Sequence, residues 1–121
     1  MSYVALPTPN SKRTKMTTLY MVRSNPVDGR EFEFNRWYEE VHVPEVLQIE
    51  GFESAQRFKL TSAQVQEQNH QYLAIYAIKS EDVEGTLNNL RQMRSFNMSD
   101  SIDMQSVQIS IFSALGEEKS A

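Results

Sequence analysis

The chain has no cysteine, which excludes disulfides, zinc–thiolate sites and thiol nucleophiles. Its only histidines are His42 and His70, too few for a three-histidine metal site within one chain. Four glycines include no phosphate-cradling loop, and no serine sits in a nucleophile-elbow context. No apolar run approaches the ~18 residues that suggest a membrane span. An apolar segment of signal-peptide length is also missing at the N-terminus, so the expectation is a cytoplasmic protein. Positive charge is not in excess. Twelve Lys+Arg against sixteen Asp+Glu leave a net charge of −4, which argues against nucleic acid as a partner. What remains is 121 residues, 40% apolar and 23% charged, the composition of one globular domain.

Residues 1–16 hold Pro7, Pro9 and the basic cluster Lys12, Arg13 and Lys15 without any period, and read as a flexible arm. Residues 17–115 read as the domain and 116–121 as a polar tail. A first strand runs from about Thr17 to Ser24, with Leu19, Met21 and Arg23 on one face and Thr18, Tyr20 and Val22 on the other. A helix follows. Asp28 is its expected cap, Glu31 closes a capping box, and Val27 staples against Phe32. Phe34, Trp37, Tyr38 and Val41 then form one apolar stripe. Pro44 predicts an end near His42 and a short second helix from Pro44 to Ile49, closed by Gly51.

Phe52 to Leu60 alternates as a second strand, with Phe52, Ser54, Gln56, Phe58 and Leu60 on one face and Glu53, Ala55, Arg57 and Lys59 on the other. Thr61 to Asn69 is a polar loop, and Gln71 to Lys79 a third strand. Ser80 is the expected cap of a second main helix carrying Val83, Leu87 and Leu90, with Arg91 and Arg94 near its negative end. Asp100 to Ser106 is ambiguous. Val107, Ile109 and Ile111 alternate into a last strand ending near Leu115.

The order β-α-β-β-α-β is that of an α+β, ferredoxin-like fold, a four-stranded antiparallel sheet with helices on one face. In the third strand, Tyr72, Ala74, Tyr76 and Ile78 oppose Leu73, Ile75 and Ala77, so both faces are apolar. Helices cover only one. A second copy packed sheet to sheet, a homodimer, covers the other most economically.

The block Phe34-Asn35-Arg36-Trp37-Tyr38-Glu39-Glu40-Val41-His42-Val43-Pro44-Glu45-Val46, then Ile49-Glu50-Gly51-Phe52 and Ala55-Gln56-Arg57-Phe58, resembles the dimeric α/β barrel superfamily and, within it, the EthD-like branch. The likeness covers about Thr17 to Leu115. It implies a pocket between helices and sheet, lined by aromatics, with the His-x-Pro histidine at its edge. Members of the superfamily include cofactor-free monooxygenases, polyketide cyclases, muconolactone-type isomerases, aldoxime dehydratases and haem-handling proteins, so fold does not choose the activity.

His42 is the first candidate for chemistry. A helix C-terminus would favour its protonated form, and Glu39 or Glu45 could orient the ring by accepting its second N–H. Alternatively it caps the helix and does nothing else. Asn35, Tyr38 and His42 form an i, i+3, i+7 ladder in which Tyr38 is either an oxyanion-stabilising donor or core, and Asn35 either a ligand contact or a solvated position. Trp37 packs the core or walls a pocket. Tyr20, Tyr72 and Tyr76 add phenols suited to a flat aromatic ligand or to an ordinary core. Arg57, a further ligand-binding candidate, and Arg23 are expected to point outward, because an inward arginine requires a carboxylate partner. His70 is given no role.

A His42–Glu39 or His42–Glu45 pair gives too few ligands for a closed metal site, and neither metal nor cofactor is expected; a haem held by His42 has only one histidine in its favour. The leading expectation is a cofactor-free pocket for an aromatic or polyketide-like small molecule. Its chemistry would be proton transfer of the isomerase, cyclase or dehydratase type, with His42 as base and Tyr38 and Glu39 beside it. The alternatives are a non-catalytic binding or accessory protein and a cofactor-free oxygenase.

Overall fold

Every second residue of Tyr72–Ile78 is buried, and this alternation tells which side of the sheet the helices cover. In the computed structural model, which describes residues 17–79, 81–93 and 95–121, the strands are β1 (Thr18–Pro26), β2 (Phe52–Lys59), β3 (Tyr72–Ile78) and β4 (Ile102–Ser113). The arm expected over residues 1–16, the cap expected at Ser80 and the helix-end charge expected at Arg94 lie outside the described residues. The sheet is antiparallel with order β2-β3-β1-β4, the ferredoxin-like arrangement that the element order predicts. Tyr72, Ala74, Tyr76 and Ile78 face the helices, as do Thr18, Tyr20, Val22 and Ser24 of β1. Residues 116–121 carry no helix or strand and are exposed. Among the described residues, no helix is long and apolar enough to cross a membrane.

The helical layer departs from expectation at both ends of its first element. Asp28 does not cap. Val27 to Arg30 closes a turn through Arg30 N–H to the Val27 carbonyl (2.9 Å), with Gly29 at φ +81° supplying the left-handed residue. The helix α1 (Glu31–Trp37) therefore begins after Arg30, with no side-chain cap. Phe32 is 78% exposed, so it makes no staple with Val27.

Nor does the helix end at His42. A π-helical turn, Tyr38–His42, joins α1 to α2 (Val43–Leu47), and His42 and Val43 both keep right-handed helical angles. Pro44 brings no N–H and would crowd the carbonyl four residues back in a regular helix. The wider turn, in which Val43 N–H reaches the Tyr38 carbonyl, accommodates it and lets the chain continue. α3 (Val83–Arg91) is capped by Asp82, whose Oδ1 accepts from Gly85 N–H at 2.8 Å.

Phe34, Trp37 and Tyr38 come down from this helix onto Tyr72, Ala74, Tyr76 and Ile78, and together they form the core. Tyr20, Phe52 and Tyr76 make an edge-to-face cluster on the same side, with centroids 5.9–6.2 Å apart. The opposite sheet face carries Leu19, Met21, Leu73 and Ile75, all half-buried, with Phe58 and Phe112 more exposed.

One irregularity reverses a prediction. In β2, Phe52 faces Ile78 but Ser54 faces Ala77, a register shift that places an extra residue between them. A bulge of this kind inverts the alternation beyond it. Phe52 therefore shares the helix-covered side with Ala55, Arg57 and Lys59, while Ser54, Gln56 and Phe58 turn to the open face.

Candidate functional site

Between the helices and the β1–β4 half of the sheet lies an open cavity of about 260 Å³. The helical segment contributes Trp37, Tyr38, His42 and Val46; the sheet floor contributes Tyr20, Val22 and Tyr76. The last wall comes from Leu90 of α3, from Phe96 and Met98, and from β4. Leu90, Val107 and Ile109 of that wall follow a helix or strand period in the sequence, but Phe96, Met98, Ile102 and Met104 follow neither, and sequence reading does not place them in a site. The reason is visible in β4. Arg23 pairs with Gln108 but Asn25 with Asp103, so β4 carries extra residues at this point. Ser106 Oγ pins the detour by accepting from Asn25 N–H at 2.8 Å and donating to the Asp103 carbonyl at 2.6 Å.

The loop bearing Phe96 and Met98 is held through Asn97. Trp37 Nε1–H donates to the Asn97 carbonyl at 2.6 Å, and Asn97 in turn donates from its backbone N–H (3.1 Å) and side-chain amide (2.6 Å) to Glu45. Trp37 thus both packs the core and walls the cavity. These bonds set Phe96 against His42, with ring centroids 5.1 Å apart.

His42 lies inside this aromatic frame. Its ring stacks on Trp37 at 4.8 Å and meets Tyr38 edge-on at 5.2 Å. Two expectations are corrected here. The imidazole is not at a helix C-terminus, so no terminal dipole favours its charged form. Burial instead lowers its pKa below the ordinary histidine value, with Glu45 acting in the opposite sense. Neither Glu39 nor Glu45 orients it: Glu39 is paired with Arg57 and Glu45 with Asn97. His42 Nδ1 is buried with no hydrogen-bond partner among the described residues.

The Asn35–Tyr38–His42 ladder divides. Tyr38 and His42 face the cavity, whereas Asn35 belongs to a polar cluster on the β2 side. Asn35 is not simply solvated. Its Oδ1 accepts from Arg57 Nη2 at 2.7 Å and its Nδ2 donates to Tyr72 OH at 3.1 Å. Arg57 is the clearest correction of an orientation. Its side chain is only 10% exposed, it donates to Glu39 Oε2 at 3.1 Å, and its guanidinium lies over the Tyr38 ring at 4.4 Å and the Phe34 and Tyr72 rings at 5.5 Å. The carboxylate that an inward arginine requires is Glu39. Tyr72 is also outside the cavity: its hydroxyl donates to the Glu31 carboxylate, which Lys59 approaches at 3.3 Å. Arg23 lies on the open sheet face, where it donates to Ser110 Oγ at 3.3 Å. His70 Nε2 sits 2.9 Å from the Ser106 carbonyl and ties the start of β3 to β4.

Burial raises the phenol pKa values of Tyr20, Tyr38 and Tyr76, so all three stay protonated at neutral pH; Arg57 acts in the opposite sense on Tyr38. Among the described residues no group of acidic, histidine or cysteine side chains could hold a metal ion. Chemically, the cavity offers apolar walls, three neutral phenols and one imidazole.

Comparison with known proteins supports the architecture. A solved structure of an ethyl tert-butyl ether d (EthD) family protein from Bacillus halodurans C-125 is 14% identical, matches 86% of this chain and 99% of its own, and superposes with a TM-score of 0.50. At that identity the likeness establishes a shared fold, which is the ferredoxin-like fold of the EthD branch that the helix block resembles. No curated protein is significantly similar to the chain. A family model covers residues 17–105, most of the sequence, and on that match the chain belongs to the family described as Domain of unknown function (DUF4286).

Proposed function

We propose that the protein is a cytoplasmic homodimer that binds a flat aromatic or polyketide-like small molecule in this cavity. There it promotes proton transfer, of the kind used in isomerisation, cyclisation or dehydration, with His42 as the base. The observation that carries the proposal is the cavity itself: an imidazole whose charged form is disfavoured stands beside three neutral phenols among apolar walls. A base that is already free at neutral pH can accept a proton from the carbon beside a carbonyl, and a phenol such as Tyr38 can stabilise the enolate oxygen.

Exchange of the methyl protons of 2-acetonaphthone in deuterium oxide, followed by NMR, tests the base. The protein should accelerate exchange, and His42→Gln should lower the rate by about 100-fold while leaving the circular dichroism spectrum unchanged. The pKa of His42 lies below the ordinary value of about 6.5, so the rate should be flat above that pH and fall as acid protonates the ring. An exchange rate indifferent to His42→Gln would remove the base from the proposal.

One observation favours a second reading, ligand binding without turnover: among the described residues no carboxylate orients the imidazole, so none strengthens it as a base in the way a histidine–carboxylate pair does. A binder would take up 2-acetonaphthone and exchange none of its protons.

The dimer rests on the open sheet face, where Phe112 is 58% exposed beside half-buried Leu19, Met21, Leu73 and Ile75. Two such faces packed together would remove this surface from water in a single isologous interface. Sedimentation equilibrium at micromolar concentration should give twice the chain mass of 14.0 kDa, and a monomer mass would contradict the assembly.

A further inference from the structure

The helix-covered face of the sheet, at and beside the cavity floor, carries hydroxyls that form no hydrogen bond among the described residues. Tyr76 is 1% exposed and Ser24 likewise, yet neither Tyr76 OH nor Ser24 Oγ has a hydrogen-bond partner among the described residues. The Tyr38 phenol, coming down from the π-helical turn, is the polar neighbour of both and acts on them electrostatically, but it stands outside hydrogen-bonding geometry with either. Tyr38 and Tyr76 line the cavity, and Ser24 lies on the same sheet face. An unsatisfied buried hydroxyl is costly, and native proteins leave few of them. An unpaired Tyr76 hydroxyl on a residue that lines the cavity is accounted for when a bound molecule completes it.

The sign of the missing group follows from its surroundings. No carboxylate lines the cavity among the described residues, and three phenols do. The Arg57 guanidinium stands 4.4 Å behind the Tyr38 ring and, although paired with the exposed Glu39, still acts as a positive charge on the Tyr38 and Tyr76 phenols. A group carrying partial negative charge and lone pairs is therefore favoured over a hydrogen-bond donor or a cation.

We infer that Tyr76, seconded by Tyr38, forms an oxygen-recognition subsite, and that the ligand is a flat ring system bearing a carbonyl or comparable acceptor oxygen directed at the Tyr76 hydroxyl. The inference rests on the ligand-binding part of the function proposed above and assigns its specificity. It does not depend on His42 acting as a base. Tyr76 remains protonated because burial disfavours the phenolate, and so stays a donor throughout the physiological range.

An isosteric pair of probes separates this subsite from mere apolar packing. 2-Acetonaphthone and 2-isopropenylnaphthalene have the same number of heavy atoms and nearly the same shape, and only the first carries an acceptor oxygen. In calorimetric titration, the wild-type protein should bind the ketone about tenfold more tightly than the hydrocarbon, the difference expected for one buried hydrogen bond. Tyr76→Phe should abolish the preference by weakening ketone binding alone, with hydrocarbon affinity retained. Should that variant fail to give a native circular dichroism spectrum, Tyr38→Phe carries the test, and its preference for the ketone must fall below that of the wild type. Equal binding of the two probes by the wild type would overturn the subsite while leaving the apolar cavity in place, and so would an undiminished ketone preference in Tyr76→Phe. Binding of neither probe would overturn the cavity reading as well.

Discussion

Gly51→Ala should destabilise the fold by about 3 kcal/mol or more, the sum of left-handed backbone strain and overpacking, each typically 1–3 kcal/mol. Gly51 sits at φ +110°, a conformation that an L side chain rarely adopts. The added Cβ would lie 1.8 Å from Thr86 Oγ1 and 2.6 Å from Thr86 Cβ. Thr86 cannot simply swing away. It is buried in α3, and its hydroxyl donates to the Asp82 carbonyl at 3.0 Å. Gly51 is held from the other side by Lys79 N–H, which donates to its carbonyl at 2.9 Å. The two elements would have to part, and with α3 would move Leu90, which lines the cavity. Urea denaturation should show a lower midpoint, and ligand affinity should fall with it. Thr86→Ala in the same chain should restore stability only in part, because its Cβ stays in the way. A midpoint unchanged from wild type would show that this close approach is not maintained.

Arg57→Met, which keeps much of the side-chain volume, should cost about 2 kcal/mol, from a lost cation–π contact and charged hydrogen bonds. The value is set below the 3–5 kcal/mol typical of a broken buried ion pair because Glu39 is 62% exposed and can be hydrated again. Asn35, which bridges Arg57 and Tyr72, loses its principal acceptor contact. Lysine should recover less than half of the loss. It cannot donate to Glu39 and Asn35 from a planar fork while lying flat over Tyr38. The change also removes the positive charge behind Tyr38, so the phenol pKa should move further up. Chemical denaturation and spectroscopic titration of the tyrosines check the two effects. Full rescue by lysine would mean that charge alone, without the fork, holds this corner.

These effects differ in how far they can be read from residues alone. The stripe Phe34, Trp37 and Tyr38 and the alternation of Tyr72 to Ile78 are plain in the sequence, and each residue is buried where its period places it. The cavity's aromatic character follows from the same positions. Arg57 is different. Its orientation depends on one extra residue near Glu53, and nothing in the alternation of Phe52 to Leu60 announces a bulge. His42 illustrates a second gap. Pro44 correctly marks a disturbance in the helix, but whether the chain stops or widens into a π-helical turn depends on what packs around it. Phe96, Met98 and the start of β4 complete the cavity through Asn97 and Ser106, contacts that join segments far apart in the chain.

By itself the sequence determined the element order, the apolar faces and the pool of chemically able side chains, because periods of two and 3.6 residues are properties of the local backbone. The tertiary structure alone decided which of those side chains meet: Arg57 with Glu39 rather than solvent, His42 with Trp37 and Phe96 rather than a carboxylate, and the Tyr76 hydroxyl with no hydrogen-bond partner among the described residues. Register, bulges and close approach are settled between segments, where burial and hydrogen bonding of one strand depend on the position of its neighbour.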